Sequence, residues 1–122
     1  MKDSGKDYIK LKLATCFRTV LKEKRDIGIK NRAENIEDVR LVDSMRQLEA
    51  ESGLSYTIIQ STSVGKRDIQ FTTLITLIDN LGLSFSEFAT LYDKITEDQL
   101  LKTKKEIGKG KKTKVAKSKI KK

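Results

Sequence analysis

The sequence predicts an all-α protein: a compact bundle of about five helices, followed by a disordered basic tail. Apolar residues recur every three or four positions through most of the chain, and no run of strict apolar–polar alternation supports a β-sheet. Capping residues and glycines divide these periodic stretches into short helices. Beyond Leu101 lysine dominates, which predicts a change from folded domain to tail.

The first predicted helix lies between Tyr8 and Lys24. Six apolar side chains in it recur at intervals of three and four and therefore share one helix face: Ile9, Leu13, Cys16, Phe17, Val20 and Leu21. Residues 25–43 show no clean period, and we expect an extra helical turn near residues 34–42. Cys16, the single cysteine of a chain without histidine, is expected to be a small buried hydrophobe rather than a nucleophile.

Capping signals mark the second and third helices. Ser44 and Gln47 match the capping box that begins a helix, and Gly53 stands where that helix should end. Ser55 then caps a further helix that stops at Gly65. Two helices joined by a turn of about three or four residues that contains glycine are typical of a helix-turn-helix.

Two amphipathic segments follow. The fourth helix has an apolar stripe that ends before Gly82: Phe71, Leu74, Leu77, Ile78 and Leu81. The fifth begins with a capping box at Ser84 and Glu87, and residues 96–99 offer one more before the lysine-rich end.

The net charge of +9 comes from the end of the chain. Residues 102–122 contain eleven lysines and one acid, a net charge of +10, whereas residues 1–101 carry 15 basic and 16 acidic side chains, a net charge of −1. A segment so rich in like charge cannot bury enough apolar surface to offset its chain entropy. We therefore expect a folded domain over residues 1–101 and a disordered lysine-rich tail over residues 102–122.

Composition argues against several classes of protein. No apolar run could span a bilayer, and the N-terminus lacks an export signal, so we expect a cytoplasmic protein without a membrane partner. One cysteine and no histidine leave no ligand set for structural zinc. Since a phosphate-binding loop is missing as well, we expect neither an enzyme nor a cofactor.

The order of caps, glycines and apolar positions over residues 44–88 forms one pattern. Its best-matching segments are Gly53-Leu54-Ser55-Tyr56-Thr57-Ile58-Ile59-Gln60, then Gly65-Lys66-Arg67, then Leu74, Leu77, Leu81-Gly82-Leu83-Ser84 and Glu87-Phe88. This pattern resembles the lambda-repressor-like helix-turn-helix domains, also called the Cro or xenobiotic-response-element family of bacterial and phage regulators. The chain departs from the family at Glu49, where alanine is usual, at Thr62-Ser63, where an aliphatic residue and Glu are usual, and in the atypical insertion over residues 25–43.

The resemblance implies that the third helix enters the major groove of double-stranded DNA. Base contacts would fall on Tyr56, Thr57, Gln60 and Ser61. Phosphate contacts would fall on Met45, Arg46, Lys66 and Arg67, and the helix N-termini capped by Ser44 and Ser55 also suit phosphate. Independently of the resemblance, the tail lysines are suited to neutralising phosphates: Lys109, Lys111, Lys112 and Lys114.

Several of these residues have a structural alternative. The polar positions of the third helix could be a solvated face, and Tyr56 could pack at the start of that helix. Met45 could cover the edge of the core, while Lys66 and Arg67 would be exposed in any fold.

The function that we expect is sequence-specific DNA binding by a transcriptional regulator of bacterial or mobile-element type, acting as a homodimer and associated with the nucleoid. The alternative is a protein-interaction or antitoxin-like module that its basic tail localises on nucleic acid. The near-neutral charge of residues 1–101 favours this alternative, because DNA readers usually concentrate cations on the folded face.

Overall fold

The computed structural model describes residues 2–37 and 41–120, with side chains described for residues 5–37 and 41–108. Throughout these residues the regular structure is helical, which confirms the all-α class. The helices are α1 (Lys2–Ala33), α2 (Met45–Ser52), α3 (Tyr56–Ser63), α4 (Phe71–Asn80), α5 (Phe85–Lys94) and α6 (Glu97–Ile120). Within the described part of the chain, no helix is long and apolar enough to cross a membrane.

Helix α1 is longer than the helix predicted over residues 8–24. It ends at Ala33; beyond it Asn35 has a left-handed φ of 58°, and the Ile36 N–H donates to the Asn31 carbonyl at 2.7 Å. This is the Schellman arrangement that terminates many helices. The expected extra turn near residues 34–42 is wrong where the chain is described, because residues 36, 37, 41 and 42 are not helical. Residues 38–40 lie outside the described residues.

The chain returns beside α1 before α2 begins, and Gly28 permits this close approach. A Cβ atom at Gly28 would overlap the carboxylate of Asp43. Arg32 holds the same carboxylate, with Nη1 3.5 Å from Asp43 Oδ2. The part of the atypical insertion that the structure describes is therefore a helical extension followed by a segment that folds back on it.

Gln47 fastens this returning segment to α2. Its Nε2 donates to the Leu41 carbonyl at 2.8 Å, and its Oε1 accepts from the Asp43 N–H at 3.0 Å. The capping box predicted for Ser44 and Gln47 is only half formed as a result. The Ser44 hydroxyl accepts from the Gln47 N–H at 3.1 Å, but the Gln47 oxygen bonds one residue further upstream than predicted.

The apolar core joins the first four helices around one cluster: Phe17, Val20, Leu21, Val42, Leu48, Ile59, Leu77 and Leu81. A second cluster of Cys16, Ile78 and Phe88 brings α5 against α1 and α4. Most of the predicted α1 stripe is buried as expected. Leu13 is half-buried and Ile9 is 50% exposed, because α1 continues past the core at its N-terminal end.

Cys16 is buried, as predicted, with its Sγ 3.9 Å from the Phe88 carbonyl oxygen. Burial raises the pKa of the Cys16 thiol to about 12, against a smaller opposing effect of the Lys12 charge. The thiol therefore stays protonated in the folded chain at neutral pH, and its role is to pack α1 against α5.

Helix α6 crosses the boundary predicted after Leu101. It begins with a complete capping box between Thr96 and Gln99, packs on α1, and buries Leu100 and Thr103. The expected disorder is therefore wrong for residues 102–108, and the described residues contain six helices where about five were predicted. The reason is that Leu100, Thr103 and Ile107 recur at helical spacing despite the surrounding lysines. Side chains from residue 109 onward lie outside the described residues.

Replacing Leu77 with alanine tests the core. Leu77 is 1% exposed in the main cluster, so Leu77→Ala should lower the free energy of unfolding by about 2–5 kcal/mol. Leu101, which is 56% exposed, provides the matched control. Leu101→Ala should change the free energy of unfolding by about 0.5 kcal/mol or less. Urea denaturation measures both variants, and equal losses would contradict the assigned core.

Gly28→Ala tests the return of the chain beside α1. Alanine normally stabilises a helix interior by about 1 kcal/mol relative to glycine, but here its Cβ meets the Asp43 carboxylate, and we expect a net loss of stability. Gly108 is also helical and has open space around it, so Gly108→Ala should raise the thermal midpoint instead. Adding Asp43→Ala to Gly28→Ala should restore part of the loss, and a stabilised Gly28→Ala single variant would show that the Asp43 carboxylate is not held against Gly28.

Candidate nucleic-acid interface

Helices α2 and α3 are joined by a short turn over residues 53–55. Gly53 has a φ of 77°, a left-handed conformation that glycine adopts without strain, and its N–H donates to the Glu49 carbonyl at 3.1 Å. Leu54 packs against the main cluster, and the Ser55 hydroxyl accepts from the Ile58 N–H at 3.2 Å. The predicted N-caps of both helices are confirmed, and the turn fixes how α3 leaves α2.

The inward face of α3 fixes its rotation about its own axis. Ile59 is fully buried and Thr62 is 4% exposed, as predicted, and the Thr62 hydroxyl donates to the Ile58 carbonyl at 2.8 Å. At the C-terminal end of α3, Arg18 Nε donates to the Ser63 carbonyl at 2.6 Å. Contacts with α1 and α2 thus cover one side of α3 and leave the other side outward.

The outward face brings together the four predicted base-contacting residues. Thr57 and Gln60 are exposed, while Tyr56 and Ser61 are half-buried. These four residues are separated by one, three, four or five positions in the sequence, so their side chains lie next to one another on the helix surface. No acidic side chain occurs in α3, and the exposed groups on this face are neutral donors and acceptors.

Ser61 is less available than the sequence suggests, because its hydroxyl is already engaged. It donates to the Ile58 carbonyl at 3.2 Å and accepts from Arg67 Nε at 2.8 Å. Arg67 is therefore held against α3 instead of extending freely from the loop after it. The pairing spans six residues and crosses a turn, and no local sequence pattern indicates it.

A second arginine lies at the other end of this face. The Arg46 guanidinium carbon lies 4.0 Å from the centroid of the Tyr56 ring, close enough for a cation–π interaction, and Arg46 Nη1 lies 3.5 Å from Glu49 Oε1. The Arg46 side chain is nevertheless 74% exposed. Tyr56 thus combines the two roles considered for it, since it lies on the outward face and also supports a neighbouring side chain.

The remaining predicted phosphate contacts divide between surface and core. Ser55 and Lys66 are exposed, and the Ser44 hydroxyl is used in the α2 cap. Met45 packs against the main core cluster, which is the structural alternative considered for it. The side chains of Lys109, Lys111, Lys112 and Lys114 lie outside the described residues.

Among the side chains that the structure describes, no group of three or more His, Cys, Asp or Glu residues could hold a metal ion. No protein-family model matches the chain, and comparisons with curated proteins and with solved structures give no match. The geometry of α2, α3 and the loop after them is thus the basis for a functional proposal.

Proposed function

We propose that the protein is a sequence-specific, double-stranded-DNA-binding transcriptional regulator of bacterial or mobile-element type. In this proposal α2, the turn and α3 act as a helix-turn-helix of the lambda-repressor-like kind, with α3 in the major groove. The observation that supports it best is the outward face of α3: it lacks acids, exposes Thr57 and Gln60, and is flanked by the guanidinium groups of Arg46 and Arg67.

The chemistry of this face suits base edges. A glutamine amide can pair in a bidentate manner with the N6 and N7 atoms of adenine, and a threonine methyl can contact the methyl group of thymine. Gln60 and Thr57 are therefore the proposed base-reading residues. Tyr56 and Ser61 also orient Arg46 and Arg67, whose guanidinium groups are suited to phosphate.

We propose that two copies bind as a two-fold dimer, because one eight-residue helix offers too few base contacts for both affinity and specificity. The two recognition helices would then lie about 34 Å apart, one turn of the double helix. A regulator of this kind acts in the cytoplasm, associated with the nucleoid.

The lysine-rich end of α6 adds a contact that is independent of base sequence. Lysines approach phosphates as point charges and displace bound counterions, which raises affinity for any duplex. Lys109, Lys111, Lys112 and Lys114 are the proposed contacts in this segment.

A protein-interaction or antitoxin-like module is the second candidate. It is favoured by the net charge of −1 on residues 1–101, because the folded part lacks an overall attraction to a polyanion. A shift assay with random-sequence and selected duplexes separates the two candidates, since only the DNA-reading function produces a preferred sequence.

Gln60→Ala tests base reading directly. Gln60 is exposed, so its loss should leave the thermal midpoint nearly unchanged while it reduces discrimination between preferred and scrambled duplexes by about 1–3 kcal/mol. Gln70 is the matched control, because it is exposed and makes no capping hydrogen bond. Binding isotherms on both duplexes measure the effect, and equal discrimination in the two variants would remove Gln60 from the site.

Changing the eight lysines that follow Gly108 to glutamine tests the basic segment without shortening the chain. The net charge falls from +9 to +1, and α6 up to Gly108 stays intact. If about four of these lysines contact phosphates at once, the slope of log affinity against log salt should flatten by roughly 3 to 4 units. Sequence preference should persist, since these lysines carry no base code. Salt titrations on preferred and scrambled duplexes measure both quantities, and an unchanged slope would exclude the segment from the complex.

A further inference from the structure

An apolar groove of about 280 Å³ lies between the N-terminal part of α1 and the start of α4. Ile9, Leu13, Phe71 and Leu74 line it. Ile9 is 50% exposed and Phe71 is 63% exposed, although both belong to apolar stripes whose other members are buried or half-buried. Adjacent large apolar side chains left in water are characteristic of interaction sites.

Phe85 extends this apolar surface beyond the groove. Its ring meets the Phe71 ring edge-on, with centroids 5.6 Å apart, and Phe85 is 49% exposed. The core does not need Phe71, because α4 is anchored by buried Leu77 and Ile78. The aromatic pair thus supplies exposed area of the kind that becomes buried at the centre of protein interfaces.

The charges around the groove are mainly positive. Lys6, Lys10 and Arg67 line it together with one acid, Asp68. Asp68 is already paired with Lys6 at 3.3 Å, and neither Lys10 nor Arg67 forms an ion pair within the described part of the chain. A ligand in the groove would therefore contact the apolar side chains that line it and would have two cations, Lys10 and Arg67, beside it.

We propose that this groove binds an amphipathic helical segment of a protein partner, with apolar side chains in the groove and Asp or Glu residues facing Lys10 and Arg67. Helices dock in grooves through anchors spaced three and four residues apart, and complementary charge selects the partner. A second copy of this chain fits less well, since a two-fold contact would repeat the same cations on both sides.

Arg67 connects this surface to the proposed DNA-binding face. Its Nε is bonded to Ser61 on α3, so a partner carboxylate at Arg67 occupies a cation that the proposed DNA contact also uses. Partner and duplex therefore compete. This consequence rests on the proposed function, whereas the binding of the acidic segment does not.

The experiment is a display selection of short helical peptides against the full chain, in the absence of DNA. The recovered peptides should carry Asp or Glu next to apolar residues at helical spacing. Phe71→Ser should weaken a recovered peptide at least tenfold, whereas the control Leu101→Ser, at an exposed position on α6, should leave its affinity unchanged.

Charge reversal gives a second test that does not depend on the apolar side chains of the groove. Lys10→Glu should weaken the acidic peptide, and replacing the peptide's acids with lysine should restore its affinity for that variant. Failure to recover any peptide, recovery of peptides without acids, or equal binding by Phe71→Ser would overturn the proposal. Conversion of a dimer to a monomer by Phe71→Ser, measured by sedimentation velocity, would also overturn it by assigning the groove to a second copy.

Competition is measured last, by adding the preferred duplex to the peptide complex. Release of the peptide supports the shared role of Arg67, and a ternary complex would overturn it. A chain that binds peptide but no duplex would contradict the proposed function and leave the groove assignment supported.

Discussion

The buried stripe of α1 is the constraint on which the other helices depend. α1 contacts α3, α5 and α6, and its side chains Phe17, Val20 and Leu21 share one cluster with Ile59 of α3. Because Ile59 is fully buried, α3 has one rotational setting about its own axis. The polar face described above is therefore outward as a consequence of packing, before any ligand is considered.

Local signals predicted those parts of the fold that neighbouring residues determine. The caps at Ser44, Ser55 and Ser84 and the turn at Gly53 follow from hydrogen bonds within four residues. The full length of α1 was missed because its apolar stripe ends before the helix does. The capping box at residues 96–99 marks the start of α6, as predicted, but its continuation past Leu101 was missed, because averaging charge over residues 102–122 concealed the helical spacing of Leu100, Thr103 and Ile107.

For the candidate site, the sequence predicts which residues share one face of α3, but not the contacts that these residues make with other parts of the chain. Periodicity alone separates Ile59 from Gln60, since a helix turns 100° per residue and the two must diverge. The interaction of Arg67 with Ser61 crosses a turn, and that of Arg46 with Tyr56 joins two helices, so both depend on tertiary distances. The sequence therefore predicts which side of α3 faces outward, but not how Arg46 and Arg67 are held beside it.

Arg18 contacts both the C-terminal end of α3 and helix α6. Its Nε bonds the carbonyl of Ser63 at the end of α3, and its Nη1 lies 3.3 Å from Glu106 Oε1 on α6. The lysine-rich end of α6 consequently begins close to the C-terminal end of α3. In the proposed complex, α3 and the lysines would bind the same duplex from one protein chain. The contribution of the lysines to DNA affinity is then set by their effective concentration near the duplex rather than by their affinity as a free peptide. This contribution would then depend on the reach of the lysine-rich segment from α3 as well as on its charge.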